Sequence, residues 1–202
     1  MKSSDTLTNA NSEIDYTQTL TELPAHLLKL PGFDQALYHQ IKQQYGSLFN
    51  VALIEPEIPQ NTGNIGRTCV GLMSSLHLVG KKGFEITDKN LKRAGLDYWP
   101  YLTWEQHADF SSWQKKIPDP KRVFYFTTKT TQTYWDPQFQ PGDWFVFGKE
   151  TKGLPEDLLR QNPEQCLTIP QIGPIRSLNV ATAVAIVLYE AYRQLRPSLK
   201  AP

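Results

Sequence analysis

Short apolar strands alternate with helices from residue 49 onward, and this alternation constrains the fold more than any other feature of the chain. Runs rich in aromatic and β-branched residues predict strands at 49–54, 75–79, 122–127, 144–147 and 166–169. Between and after them, the sequence predicts helices at 61–73, 88–94, 104–115, 154–161 and 177–195. Such an order predicts an α/β fold with a mainly parallel sheet flanked by helices.

Three loops that follow predicted strands are dense in glycine, proline and polar residues. They read EPEIPQNTGNIGR at 55–67, GKETKGLP at 148–155 and PQIGPIRSLN at 170–179. Glycine lets a backbone approach a ligand closely, and proline holds a loop rigid. Because ligands of parallel α/β sheets bind beyond the carboxyl ends of the strands, we expect the functional site where these loops and the loop after residue 127 meet.

Several familiar chemistries have no support in the sequence. The chain has no G-x-x-x-x-G-K-[ST] phosphate loop, no G-x-G-x-x-G after a strand and no G-x-S-x-G elbow. Its two cysteines, Cys69 and Cys166, form no C-x-x-C pair, and its four histidines are scattered without ligand spacing. We therefore expect neither a disulfide framework nor a metal site.

Charge is nearly balanced over the chain but unevenly distributed. The net charge is +1, which is small for a protein that holds nucleic acid by charge alone. Residues 1–48 carry three lysines against five acidic residues. A basic cluster at 81–93 comprises Lys81, Lys82, Lys89, Lys92 and Arg93. This cluster is either a solvent-exposed face or an RNA contact.

The N-terminal part of the chain differs from the rest in its polarity and in its predicted secondary structure. Residues 1–22 are polar and predicted to be disordered. A short amphipathic helix is expected after Pro31-Gly32, because the apolar residues at 33, 37 and 41 share one helical face. The sequence therefore predicts an extension at 1–48 and a folded domain at 49–202. With no apolar leader and no apolar run of membrane-spanning length, we expect a cytoplasmic protein without a membrane segment.

In order and spacing, the three loops resemble the three motifs of the SPOUT methyltransferases. Within that superfamily, EPEIP-x-NTGNI and the segment RAGLDY at 93–98 resemble the enzymes that methylate the wobble-position ribose of tRNA at cytidine or uridine. The resemblance runs from about residue 49 to residue 195. It implies a trefoil knot in the C-terminal half, S-adenosylmethionine as cofactor, tRNA as substrate, and a homodimer.

The resemblance also assigns roles to individual residues. The implied catalytic residues are Asn61, Arg67, Glu150, Ser177 and Asn179. The implied cofactor pocket comprises Phe126, Thr127, Gly148, Glu150, Gly153, Ile169, Ile172, Ser177, Leu178 and Asn179. The candidate RNA contacts are Arg67, Lys92, Arg93, Lys152 and Arg176.

The residues themselves leave other interpretations open. Ser177 and Asn179 also suit the N-cap of the last helix, and Arg67 suits a salt bridge on a helix surface. Glu150 suits either structural support of its loop, through backbone N–H groups, or direct contact with a cofactor. Two other functions compete: ribose methylation of ribosomal RNA by the same superfamily, and RNA binding without catalysis.

The last predicted helix is apolar on nearly every side between residues 180 and 188. A helix of this kind must be buried on most of its surface. In so small a domain, this predicts that the C-terminal helix forms the subunit interface of a homodimer.

Overall fold

The computed structural model describes residues 29–84 and 98–199. Within them, six parallel strands form one sheet in the order β3-β2-β1-β5-β4-β6. The strands are Asn50–Ile54 (β1), Ser75–Val79 (β2), Trp104–His107 (β3), Val123–Phe126 (β4), Trp144–Phe147 (β5) and Cys166–Leu167 (β6). The α-helices are Gln35–Gln44 (α1), Pro59–Gly71 (α2), Phe110–Gln114 (α3), Glu156–Gln161 (α4) and Val180–Leu199 (α5). The predicted α/β class with a parallel sheet is confirmed.

The order of the strands places a switch point at the centre of the sheet. β1 pairs in parallel with β2 on one side and with β5 on the other, although β5 follows much later in the chain. The carboxyl ends of all six strands consequently lie along one edge of the sheet. Ligands of open α/β sheets bind beyond that edge, close to such a switch point.

Both faces of the sheet are buried along β1, β2, β4 and β5, which explains why these strands read as largely apolar runs. On one face, Phe145 and Phe147 of β5 join a core that includes Ile65 of α2 and Val184 of α5. On the other, alternate residues of the same strand pack with Trp113 of α3. The alternation follows from the two-residue period of a strand.

The prediction of a helix over 104–115 was wrong. Residues 104–107 form the edge strand β3, which pairs in parallel with β2, and only 110–114 is helical. Asp109 starts that helix, since its carboxylate accepts the backbone N–H of Ser112 at 2.7 Å while Ser112 Oγ accepts the N–H of Asp109 at 3.2 Å. A four-residue strand followed directly by a capped turn has no period long enough to distinguish it from a helix.

Other predicted elements are found with shifted bounds or lie outside the described residues. The strands at 75–79 and 144–147 match, and the last helix begins at Val180 rather than at residue 177. The short helix after Gly32 is confirmed as α1, which Asp34 caps. Ile41 of α1 is buried in the main core, although it belongs to the predicted extension. The predicted helix at 88–94 and the predicted disorder at 1–22 fall outside the described residues.

The apolar character of the last helix has a different explanation from the predicted one. Val184, Val187 and Leu188 are fully buried inside the chain's own core, where α5 lies against α2 and the sheet. The apolar face therefore does not require a partner subunit, and the homodimer stays a prediction, as does the trefoil knot. Over the two described ranges, no helix combines the length and apolarity that a bilayer crossing needs.

A chain of hydrogen bonds, buried at its histidine end, runs across the second face of the sheet. Asn50 donates to the carbonyl of Gly142 at 3.0 Å, and its amide oxygen accepts the hydroxyl of Ser75 at 2.7 Å. Ser75 Oγ is therefore left to accept from His77 Nε2 at 3.0 Å. His77 Nδ1 must then accept from His107 Nε2, also at 3.0 Å, so the order of donation assigns both tautomers.

This arrangement predicts that acid destabilises the fold. Burial, with a further contribution from neighbouring His107, lowers the pKa of His77 from 6.5 to about 4. Because the unfolded chain binds the proton more readily, stability is lost as pH falls from about 6.5 towards 4. Between pH 7 and pH 5, this one group should remove about 2 kcal/mol of unfolding free energy, measurable by urea titration.

A matched pair of variants isolates the contribution of His77. His77→Gln should flatten the dependence of stability on pH across this window, whereas the exposed His39→Gln should leave it unchanged. An equal slope in wild type and His77→Gln would show that other groups govern the acid response.

Candidate active site

A cavity of about 580 Å³ opens at the carboxyl edge of the sheet. Four segments line it: the start of α2, the loop after β4, the loop after β5, and the loop between β6 and α5. This confirms the expectation that the loops after the strands meet. The volume lies within the range of ordinary small-molecule sites.

The loop after β5 makes a very tight turn beside this cavity. A Cβ atom at Gly148 would lie 2.1 Å from the backbone carbon of Gly153, so no other residue fits there. Gly153 adopts a φ of 68° and donates its N–H to the carbonyl of Lys149 at 2.8 Å. The turn exposes the backbone of 148–153 to the cavity and fixes the direction of the side chains between the two glycines.

Glu150 ties this turn to the beginning of α2. Its two carboxylate oxygens accept the backbone N–H of Glu57 at 2.9 Å and that of Ile58 at 3.2 Å. One of them also accepts Nδ2 of Asn61 at 3.0 Å. Ile58 is the N-cap of α2 and Glu57 precedes it, so the carboxylate lies at the N-terminus of the helix, where the helix dipole also stabilises its negative charge. The geometry favours the supporting role that the sequence left open for Glu150.

Asn61 extends the connection to the last helix. Its side-chain oxygen accepts Nδ2 of Asn179 at 3.0 Å. The oxygen of Asn179 accepts the N–H of Ala181 at 2.9 Å and that of Thr182 at 3.3 Å, as an N-cap does. Glu150, Asn61 and Asn179 thus form one hydrogen-bonded chain, the loop-edge network, which joins three loops.

A second pair of contacts reinforces the same junction from the opposite direction. The carboxylate of Glu57 accepts both the N–H of Thr151, at 3.2 Å, and its hydroxyl, at 2.8 Å. Lys149 pairs with Glu55 at 2.5 Å, and this contact raises the pKa of the lysine. The loops after β1 and β5 therefore hold each other reciprocally.

The inner wall of the cavity is apolar, with one unpaired acceptor. The rings of Phe126 and Phe147 stack with centroids 4.8 Å apart and planes 11° apart. Ile169 and Leu178 add aliphatic surface to the lining. Oε1 of Gln171 is buried at the cavity and lacks a hydrogen-bond partner within the described residues. An apolar wall that contains a buried acceptor without a hydrogen-bond partner suits a ligand that carries a flat ring and an N–H donor.

The structure brings most of the predicted site residues together around this cavity. Its lining includes Asn61, Phe126, Thr127, Gly148, Glu150, Lys152, Gly153, Ile169, Arg176, Ser177, Leu178 and Asn179. Ile172 does not line it, because its side chain is fully exposed on the solvent side of its loop. Lys92 and Arg93 lie outside the described residues.

Arg67 occupies a separate position on α2. It lies six residues after Asn61, about 9 Å along the helix axis, and it does not line the cavity. Its guanidinium carbon lies 4.3 Å from the centroid of the Tyr98 ring. Arg67 is exposed and lies outside the cavity, on the solvent-facing side of α2.

Sequence analysis missed several residues of the site. Lys129 and Gln171 line the cavity, and Glu57 stabilises its rim. Glu57 and Gln171 lie inside the motif loops at 55–67 and 170–179, and Lys129 lies in the loop after residue 127, so their position after strands is the signal that could have indicated them.

Two of the histidines read as scattered lie close together in the fold. His77, Glu105 and His107 place candidate ligand atoms within 4.8 Å of one another. However, the ring centroids of the two histidines lie 5.3 Å apart, and Nδ1 of His77 lies 3.0 Å from Nε2 of His107. The two nitrogens therefore lie close to the line between the centroids, and the rings face each other edge to edge. That geometry suits an N–H···N hydrogen bond. The absence of a metal site stays a prediction.

Comparison with known proteins adds three findings. The model of the SpoU rRNA Methylase family matches residues 48–189. A curated relative from Burkholderia ambifaria, a tRNA (cytidine(34)-2'-O)-methyltransferase, is 46% identical over 149 residues, which cover 73% of this chain and 96% of the relative. A solved structure that concerns the 2-OH methylation of C/U34 on tRNA has a TM-score of 0.69 at 43% identity, and the match covers 74% of this chain and 97% of that one.

A more distant structure resembles the same region. It is an AdoMet-bound rRNA methyltransferase from Sinorhizobium meliloti, with a TM-score of 0.64 at 28% identity. The match covers 75% of this chain and 58% of that chain. The architecture around the cavity is therefore shared with methyltransferases.

The loop-edge network predicts a specific loss of stability. Glu150→Gln replaces one accepting oxygen with an NH₂ group that faces N–H donors, leaving at least one of them unsatisfied. We expect a loss of about 1–3 kcal/mol in unfolding free energy, measured by urea titration. The exposed Glu164→Gln should change it by less than about 0.5 kcal/mol. Equal stabilities of the two variants would contradict the assigned role of Glu150.

Proposed function

This chain belongs to the SpoU methylase family, and we propose that it is an S-adenosylmethionine-dependent methyltransferase. Its substrate is the ribose 2′-hydroxyl of the wobble nucleotide, cytidine or uridine, in the anticodon loop of tRNA. The observation that carries this proposal is the loop-edge network, which joins three loops beside one cavity in a chain 46% identical to a tRNA (cytidine(34)-2'-O)-methyltransferase.

The residues of the cavity fit this cofactor. An adenine ring needs flat apolar surface, which Phe126, Ile169 and Leu178 supply, and an acceptor for its amino group, which Oε1 of Gln171 supplies. The close turn at Gly148 lets backbone groups reach the ligand. When bound, S-adenosylmethionine would supply a methyl group to the ribose oxygen: the carbon–sulfur bond would break as the carbon–oxygen bond forms, S-adenosylhomocysteine would leave, and the hydroxyl proton would pass to solvent water.

The chain's own residues then have two tasks. A ribose hydroxyl is a poor nucleophile, so a group that favours the developing negative charge on its oxygen lowers the barrier. We assign this task to the guanidinium of Arg67, which is always charged and presents five donors. We assign to Asn61 and Asn179 the position between the ribose and the cofactor. Hydrogen bonds to each other and to Glu150 fix the orientation of their side-chain amides. Ser177 lies beside them at the rim of the cavity.

Basic side chains around the opening suit the RNA backbone. Lys152 and Arg176 are exposed and line the cavity, so their charges can reach phosphates of a bound anticodon loop. Lys129, also at the opening, is paired with Glu156 at 2.6 Å. Lys92 and Arg93 stay predicted RNA contacts, as does the cytoplasmic location.

The two competing functions are less well supported. The ribosomal-RNA enzyme with the similar fold is 28% identical, whereas the curated relatives that act on tRNA reach 46%. RNA binding without catalysis would not require Asn61, Glu150 and Asn179 to converge on a cavity of cofactor size. Wobble-ribose methylation therefore remains the better account.

A homodimer through the last helix forms part of the proposal. The buried side of α5 belongs to the chain's own core, but Tyr189 on the same helix is 57% exposed. Tyrosine is enriched in protein–protein interfaces relative to the rest of a protein surface. The outer side of α5, marked by Tyr189, is therefore the surface that we assign to the partner subunit.

The proposed division of labour predicts different effects of two alanine variants. Arg67→Ala should bind S-adenosylhomocysteine within a few-fold of wild type, because Arg67 lies outside the cofactor cavity. Its methyl transfer should fall roughly 10²–10³-fold. Asn179→Ala should weaken both cofactor binding and transfer. The measurements are calorimetric titration and single-turnover methylation of a tRNA anticodon stem-loop. If Arg67→Ala methylates at the wild-type rate, the proposed catalytic role of Arg67 is wrong, and Arg67 is only a surface residue.

The dimer surface predicts a change of mass in solution. Wild type should sediment as a dimer at micromolar concentration, and Tyr189→Asp should sediment as a monomer because it places an unpaired charge in the contact. Tyr45→Asp, at an exposed tyrosine on the C-cap of α1, is the matched control and should remain dimeric. A monomeric wild type would refute this part of the proposal.

A further inference from the structure

We infer that Tyr98 is a positioning residue that orients the guanidinium of Arg67 for methyl transfer. The inference rests on the proposed function, because it concerns the same reaction. It assigns to Tyr98 a contribution to the rate of transfer and none to the binding of the cofactor.

Tyr98 is attached to the helix that carries Arg67 at two points one turn apart. Its hydroxyl donates to the backbone carbonyl of Gly63, in α2. The face of the same ring lies under Arg67, four residues further along, at 4.3 Å from the guanidinium carbon. Residues four apart lie above one another on a helix, so a single ring spans from its anchor to the cation.

The ring itself has little freedom to move. Tyr98 is buried, and it begins a 3-10 turn whose Trp99 and Leu102 are also buried. This turn lies directly against α2 at Gly66, where a Cβ atom would come 3.0 Å from Leu102 and 3.1 Å from Trp99. The absence of a side chain at Gly66, next to Arg67, is what lets the turn approach so closely.

This arrangement restricts the rotamers of Arg67. A ring under the guanidinium plane removes part of the rotamer freedom of an exposed arginine before substrate binds. Stacking occupies a flat face of the guanidinium, whereas the five N–H donors of an arginine lie in the guanidinium plane, away from that contact. A lysine could supply the charge but not the planar contact.

Two substitutions at Tyr98 separate its ring from its hydroxyl. Tyr98→Phe keeps the stacking surface, so its single-turnover methylation of an anticodon stem-loop should stay within a few-fold of wild type. Tyr98→Leu removes the ring, and its rate at saturating cofactor and RNA should fall roughly tenfold, as expected for a lost cation–π contact. Both variants should bind S-adenosylhomocysteine with wild-type affinity.

A double-mutant cycle tests whether Tyr98 acts through Arg67. In an Arg67→Ala background, Tyr98→Leu should cause no further loss, because the guanidinium that the ring orients is already absent. If Tyr98→Leu does not fold, Arg67→Lys tests the same contact from the exposed side and should also lose roughly tenfold.

The outcomes distinguish this inference from the proposed function. A wild type that transfers no methyl group to the stem-loop refutes the proposed function. If the wild type is active, two results overturn the inference alone. One is a Tyr98→Leu variant that methylates at the wild-type rate. The other is a Tyr98→Leu substitution that lowers the rate by the same factor in the Arg67→Ala background as in the wild type. A parallel loss of cofactor affinity in Tyr98→Leu also overturns it, because it would reveal a general structural role.

Discussion

The hydrogen bonds that the Glu150 carboxylate accepts from the start of α2 are the interaction on which the rest of the site depends. A parallel sheet brings its loops to one edge, but it does not fix them relative to one another. Here the loop after β5 is bonded to the helix that follows β1, and Asn61 passes the connection to the cap of α5. The cavity has a defined shape because its walls are bonded to each other.

Two physical regimes meet at this edge. Below it, the stacked rings of Phe126 and Phe147 continue the apolar core to the cavity wall. Above it, the rim is polar, and lysines and an arginine face solvent. Arg67 belongs neither to the apolar wall nor to the polar rim, because it lies further along α2, with its guanidinium over the ring of Tyr98. In the proposed mechanism, cofactor binding and activation of the ribose hydroxyl therefore use different parts of the first loop and its helix.

Much of the sheet and of the cavity was predictable, because both depend on local patterns. Strands buried on both faces read as apolar runs, and the loops after them carry dense glycine and proline. The site residues came from the motif resemblance, which places Asn61 and Asn179 in separate loops without showing that they touch. What could not be predicted depends on contacts between distant segments. The His77–His107 bond needs the pairing of β2 with β3, and the burial of α5 needs its packing against α2. The outward direction of Ile172 depends on the path of its loop.

The most direct test of the account is mass-spectrometric mapping of ribose methylation in RNA from cells with and without this protein. The account predicts that 2′-O-methylcytidine or 2′-O-methyluridine at the wobble position of tRNA is present with the protein and absent without it. Unchanged wobble methylation, accompanied by the loss of a ribose methyl group from ribosomal RNA, would contradict it.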